Sequence, residues 1–293
     1  NFLLFDRMNS TNRTTDYFVL SDKIKVLVLL SFFGVVVYFA TLHSPFLYDD
    51  AHAIEDNPYI KDLSKFQEVV GIQNIFNRSI LLLTFSINHA VGKGDVFGYH
   101  LVNITLHICV GIVIYFLVSE LLTLEHPSLK SQLQKLPLVA SLIHLFNPVT
   151  VESVTYISSR SSVLATLFYS LSFYFLVRFR NEKQNYTKVS YIYYPLLAFL
   201  LFLLGLGAKE IIVTLPVMAV FYFWEQSPEK NFRKFLPELI AILLPLMGYL
   251  LYRYVEMGSL LVIQTDPYSH LVDRGLYFLT QIKVVISYYL LKL

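Results

Sequence analysis

Apolar runs long enough to cross a bilayer recur along the whole chain, and no other feature limits its fold as strongly. A membrane-spanning helix needs about 20 predominantly apolar residues to match a hydrocarbon core of about 30 Å. The candidate runs are Ile24–Leu42, Gly98–Leu122, Leu136–Phe146 with an irregular continuation past Pro148, Ser162–Val177, Tyr191–Gly207, Ile211–Trp224, Leu236–Tyr252 and Leu276–Leu293. About eight membrane segments follow, and with them an all-α polytopic membrane protein. Only 15% of the 293 residues are charged, against about 25% in a soluble domain. That deficit is spread along the chain and excludes a soluble domain on a single anchor.

The remaining organisation is read from what interrupts the runs. Asn147-Pro148 must break the third run, because proline lacks a donor and clashes with the preceding turn. The stretch Leu81–Val91 is too short to span and carries Asn88 and His89, so a helix lying at the interface is expected there. Residues 1–23 form an expected cytoplasmic N-terminal segment and 24–293 the transmembrane domain. The chain begins with Asn and stops inside the apolar run ISYYLLKL, which reads as a piece of a longer polypeptide. With a cytoplasmic N terminus, thirteen Lys and Arg fall on inner segments and eight on outer ones. The first outer loop, 43–97, then faces the periplasm or an equivalent lumen. Net charge is +2, too weak a field to suggest nucleic acid, and the single Cys109 allows no intrachain disulfide.

Ionisable groups gather at the outer ends of these segments, although each costs at least about 2.5–3.5 kcal/mol near membrane depth. Asp49 and Asp50 lie in SPFLYDDAHAIEDNPYI, just after the first run. They are either a solvated acidic loop with Glu55, Asp56 and Asp62, or a carboxylate pair poised for base chemistry. His100, Asn103 and His107 share one helix face at i, i+3 and i+7. That stripe either bonds neighbouring helices or lines a cavity. Glu152 and Arg160 follow the proline break and either pair with each other or face a cavity. Lys209 and Glu210 occupy a tight turn after Gly205 and Gly207; the lysine either reaches a lipid phosphate or snorkels. Arg78 opens the interfacial segment as either a phosphate ligand or an interface anchor. Asp49, Asp50 and His52 would hold one metal ion or none, so a divalent cofactor stays open.

Taken in order, FLYDDAHAIEDNPYI, NRSILLLTFSINHAVG, GYHLVNITLHICV, NPVTVESVTYISSR and LGAKEIIVTLPVM resemble a known family. It is the transmembrane O-mannosyltransferases with tetratricopeptide repeats and their bacterial relatives, within the GT-C superfamily. The chain has Ser79, Asn147, Ser159 and Ala208 where such families usually carry Pro, His, Gly and Ser. The resemblance implies a GT-C-like helical bundle whose large first outer loop bears short interfacial helices. It implies a sugar transferase using a polyprenyl- or dolichyl-phosphate-linked donor and a protein Ser/Thr acceptor, with inversion. Asp49, with Asp50 second, would be the base. Arg78, Lys209 and Arg160 would hold the donor phosphate, and His89, His100, Asn103, His107, Glu152 and Glu210 would line the cavity. The protein would sit in a bacterial inner membrane or the endoplasmic reticulum, acting on the periplasmic or lumenal side, with membrane lipid and a possible larger complex as partners. The alternatives are a catalytically silent GT-C-like accessory subunit and, ranked last, a transporter.

Overall fold

A computed structural model describes residues 23–62, 78–124, 127–182, 188–226, 235–257 and 274–290. The N-terminal segment, Lys23 apart, lies outside them. Among the described residues every regular element is helical. The chain divides into a unit of Asn1–Tyr249 and a second of Leu250–Leu293.

The first unit is built on long helices. Helix α1 (Lys23–Thr41) turns Val28, Phe32 and Val36 outward, a stripe at i, i+4 and i+8 suited to lipid. A loop with the short helix α2 (Pro58–Lys61) leads to α3 (Ser79–Gly92). Helix α4 (Val96–Leu121) has 26 residues and runs about 39 Å at 1.5 Å per residue. It packs against α5 (Leu136–Phe146) and against α7 (Arg160–Asn181), and α7 packs against α8 (Lys188–Leu206). Between α5 and α7 lies the short α6 (Val151–Thr155). Helix α9 (Leu215–Glu225) follows a 3-10 turn, Glu210–Thr214. Helix α10 (Leu236–Met257) runs from the first unit into the second, which holds α11 (Arg274–Val284) and a π-helical turn, Val285–Leu290.

The chain is thus an all-α polytopic membrane protein. The expected eight segments resolve unevenly, however. Among the described residues four helices are long and apolar enough to cross a membrane, or five if the pair Leu136–Phe146 and Pro148–Thr155, bent by 50°, is one span. The bend falls at Asn147-Pro148, where Asn147 caps the new turn by accepting the Val149 N–H at 3.0 Å. The expected run Ile211–Trp224 is instead split, because Pro216 opens α9 and has no N–H to continue a helix from the preceding turn. The expected runs at Tyr191–Gly207 and Leu276–Leu293 supply shorter apolar helices, Ile192–Leu206 and Gly275–Ser287. The stretch Leu81–Val91 falls within a 14-residue helix, α3.

Close packing fixes the pairs. A Cβ at Gly34 would collide with Ile108 Cγ1, so this glycine lets α1 lie directly on α4. Tyr38, Leu42, Ile104, Ile108 and Val154 form the apolar cluster there. At the end of α7 away from the first loop, Arg178 meets Glu120 at 3.5 Å and Glu182 at 3.0 Å, and Asn181 donates to the Glu120 carbonyl at 2.9 Å. Arg180 pairs with Glu238 at 3.7 Å, tying α7 to α10.

Candidate active site

The opposite end of the bundle gathers most of the polar residues singled out in the sequence. The first loop leaves α1 and doubles back at Leu47–Asp50, where the Asp50 N–H donates to the Leu47 carbonyl at 3.0 Å. Tyr48 takes φ 49° in this turn, the left-handed region rarely used by a bulky residue. The His100 ring lies 3.0 Å from the Ser44 carbonyl through Nε2, fastening the loop's start to α4. Because α1 has already ended at Thr41, the first turn of α4 projects beyond it.

The two aspartates have different surroundings. Asp50 is buried, and both its oxygens are occupied. Oδ1 accepts the Ser158 N–H at 2.8 Å and its hydroxyl at 2.5 Å; Oδ2 accepts the Leu47 N–H at 3.1 Å. It is a clamp between the loop and the start of α7. Asp49 is exposed, and its N–H donates to Tyr156 Oη at 2.9 Å. Burial raises the Tyr156 phenol above its ordinary pKa, and the Asp49 and Asp50 carboxylates beside it act in the same direction.

Arg160, expected near the outer surface as a ligand of the donor's phosphate, is instead wholly buried. Its Nε donates to Asn103 Oδ1 at 2.6 Å, Nη1 to Asn88 Oδ1 at 2.7 Å and Thr84 Oγ1 at 3.2 Å, and Nη2 to the Tyr99 carbonyl at 2.9 Å. The guanidinium lies 4.6 Å over the Phe85 ring. With its donors directed inward, it joins α3, α4 and α7 rather than facing a ligand. Nor does it pair with Glu152, which is exposed and has no side-chain partner among the described residues. Asn103 completes the joint by donating to the carbonyls of Val154 at 3.2 Å and Ile157 at 3.4 Å.

Arg78 and Lys209 approach each other through the backbone. The Ile80 N–H donates to the Gly207 carbonyl at 3.0 Å, setting the start of α3 on the turn after α8. Arg78 is exposed in the left-handed region, φ 56°, and its side chain has no partner among the described residues. Lys209 Nζ donates to Ser162 Oγ at 2.7 Å, leaving two N–H groups. Ser158, which grips Asp50, and Ser162, which grips Lys209, are four residues apart at the start of α7. Carboxylate and ammonium are therefore anchored on neighbouring turns. An apolar platform including Ile54, Leu81, Phe85, Tyr99, Ile157, Leu164 and Ala208 lies beneath.

Two expected lining residues fall elsewhere. His107 lies about 10 Å further along α4 than His100, at 1.5 Å per residue. Its ring meets that of His144 at 4.4 Å, tilted by 38°, and that of Tyr38 edge-on at 5.3 Å. His89 sits near the far end of α3, eleven residues beyond Arg78. Glu210 is exposed beside Lys209 and has no side-chain partner among the described residues. His52 lies 4.0 Å from Asp56, both exposed, and no group of three or more His, Cys, Asp or Glu is arranged for a metal ion among the described residues.

Tyr156, Ser158, Ser162, Thr84 and Asn88 are functional supports that sequence reasoning passed over. Only the i, i+4 spacing of Thr84 with Asn88 and of Ser158 with Ser162 offered a signal, through a shared helix face.

No protein-family profile matches the chain, and no solved structure matches it significantly. Curated proteins do. Protein O-mannosyl-transferase F38B6.6 of Caenorhabditis elegans is 26% identical over 235 residues, covering 76% of this chain and 31% of the relative. Protein O-mannosyl-transferase Tmtc3 of Drosophila melanogaster is 29% identical over 164 residues, covering 47% of this chain and 17% of the relative. Protein O-mannosyl-transferase TMTC3 of Homo sapiens is 27% identical over 168 residues, covering 52% and 17%. This chain is a homologue of proteins named protein O-mannosyl-transferase, and it spans about a third of their length or less.

Proposed function

We propose that the chain is the membrane part of a glycosyltransferase that moves a sugar, mannose by the names of its relatives, from a polyprenyl-phosphate donor to a protein Ser or Thr hydroxyl. The reading places the reaction on the periplasmic or lumenal side and makes it a single inverting displacement. Asp49 takes the proton of the acceptor hydroxyl. The oxygen forms a bond to the anomeric carbon as the carbon–oxygen bond to the lipid phosphate breaks, and the electron pair leaves with the phosphate. Growing charge on that phosphate is met by Arg78 and by Lys209, whose two remaining N–H groups are held in place through Ser162. Asp50, His100, Asn103 and Arg160 hold the parts in place without touching substrate.

One observation supports this reading above the others. An exposed carboxylate, Asp49, and an anchored ammonium, Lys209, are fixed to adjacent turns of the same helix through Asp50–Ser158 and Lys209–Ser162. Base and leaving-group stabiliser must lie on opposite sides of one reacting carbon, and such anchoring keeps their separation constant.

The test is transfer of labelled mannose from dolichyl-phosphate mannose to a Thr-containing peptide by the purified full-length protein. Asp49→Asn should abolish transfer while leaving the unfolding temperature unchanged. Unchanged transfer in that variant would remove Asp49 from the chemistry, and a wild type that transfers no sugar would favour a silent accessory subunit. Adding EDTA to the same assay reads any requirement for a divalent ion.

A further inference from the structure

Tyr48 combines two features that burial and folding do not explain. Its φ of 49° is a conformation that turns usually assign to Gly, Asn or Asp. Its ring is 86% exposed, so the strain is not offset by packing into the core. The one neighbour that orients it is Tyr156, met edge-on at 6.3 Å and 83°. The same Tyr156 holds the next residue, accepting the Asp49 N–H at 2.9 Å. Strained non-glycine residues persist where surrounding structure and function over-determine them. Here the strained residue presents an exposed aromatic ring next to the proposed base.

We infer that Tyr48, steadied by Tyr156, is one wall of the acceptor subsite and receives the polypeptide that carries the hydroxyl. This rests on the glycosyltransferase reading and adds to it where the acceptor lies. A rigid aromatic face with a polar tip presents a large contact area to a peptide plane or an apolar side chain while losing little conformational freedom. Tyr156 adds a positioning role: its hydroxyl oxygen accepts the Asp49 N–H at 2.9 Å, and its own proton, held near neutral pH as in any phenol, is available to the Asp49 carboxylate. In the proposed reaction Asp49 meets the acceptor hydroxyl, and Tyr48 adjoins Asp49 in the same turn, so the ring belongs to the acceptor's path.

The left-handed backbone makes a clean test available. Tyr48→Gly relieves the strain and removes the ring, and Tyr48→Asn tolerates the same backbone, so the turn is kept in both. Tyr48→Phe keeps the ring. The full-length protein is assayed with dolichyl-phosphate mannose and two Thr peptides, one flanked by alanines and one with Phe beside the Thr. Tyr48→Gly and Tyr48→Asn should raise the acceptor KM about tenfold, with kcat and donor KM within about twofold, and should erase any preference for the Phe peptide. Tyr48→Phe should restore the wild-type acceptor KM. An unchanged acceptor KM in the Gly and Asn variants, with wild-type transfer intact, overturns the subsite but leaves the transferase reading standing. A shift in donor KM alone would assign the ring to the sugar donor and likewise overturn it. Absence of transfer by the wild type defeats the underlying reading instead.

Discussion

Arg160 decides how the residues around the site are arranged. A fully buried guanidinium with no carboxylate in its hydrogen-bond shell is stable only if its donors are satisfied, and bonds to two other helices occupy four of its five N–H groups. Replacing it strands Asn103, whose side chain is fully buried and has no solvent to turn to. Arg160→Ala should lower stability by at least about 3 kcal/mol, read as a drop in detergent-solubilised thermal unfolding. Arg160→Lys should recover little of it, because an ammonium cannot reproduce the fork. A thermal transition unchanged in both variants would show that the joint contributes nothing. Asp50 gives a second residue-scale test. Asp50→Ala should lower the unfolding temperature and loosen the first loop, detected as faster proteolysis near residues 47–56, whereas Asp49→Asn should do neither. Equal effects from the two would contradict the division of labour between clamp and exposed carboxylate.

At the scale of elements, the join between α8, the turn after it and α3 carries Lys209 and Arg78 to the site. A Cβ at Gly205 would collide with Ile212 Cδ1 and lie 3.2 Å from Phe168 Cβ. The isoleucine tip can rotate, but the phenylalanine Cβ cannot move without its helix. Gly205→Ala should therefore destabilise by about 1–3 kcal/mol, and pairing it with Ile212→Val should be less harmful than the two effects added. Strict additivity in that double-mutant cycle would mean the two side chains do not meet. This is also the scale at which sequence reading met its limits. The run lengths of α1, α4 and α10 and the break at Pro148 were legible, because length and proline chemistry are local properties. The split of Ile211–Trp224 was not, since apolar content is the same whether residues form one helix or a 3-10 turn followed by α9. The burial of Arg160 was hidden for a different reason. Its acceptors, Thr84, Asn88, Tyr99 and Asn103, come from two other helices, and no local pattern announces them. His107 was misplaced because a shared face says nothing of depth; the i+7 step that aligns it with His100 also carries it two turns along the helix.

Across the first unit, one end holds Asp49, Lys209 and Arg78, while the other is laced by Arg178 with Glu120 and Arg180 with Glu238. Helix α4 joins the two ends, and its length of about 39 Å exceeds a hydrocarbon core of about 30 Å. Loop residues near one end of α4 and residues just past its other end must then lie in different aqueous compartments. His52, exposed in the first loop, and Thr123, exposed after Leu121, mark the two sides. Once the single cysteine is removed as Cys109→Ser, each position can be changed to Cys in turn and probed with a membrane-impermeant maleimide in sealed vesicles of known orientation. His52→Cys should be labelled from the periplasmic or lumenal side alone, and Thr123→Cys only after permeabilisation or from the cytoplasmic side. Labelling of both from one side would mean that α4 does not cross. Labelling with the two sides exchanged would keep the fold but invert it, placing Asp49 and Lys209 in the cytoplasm, where a polypeptide acceptor crossing into a lumen could not meet them.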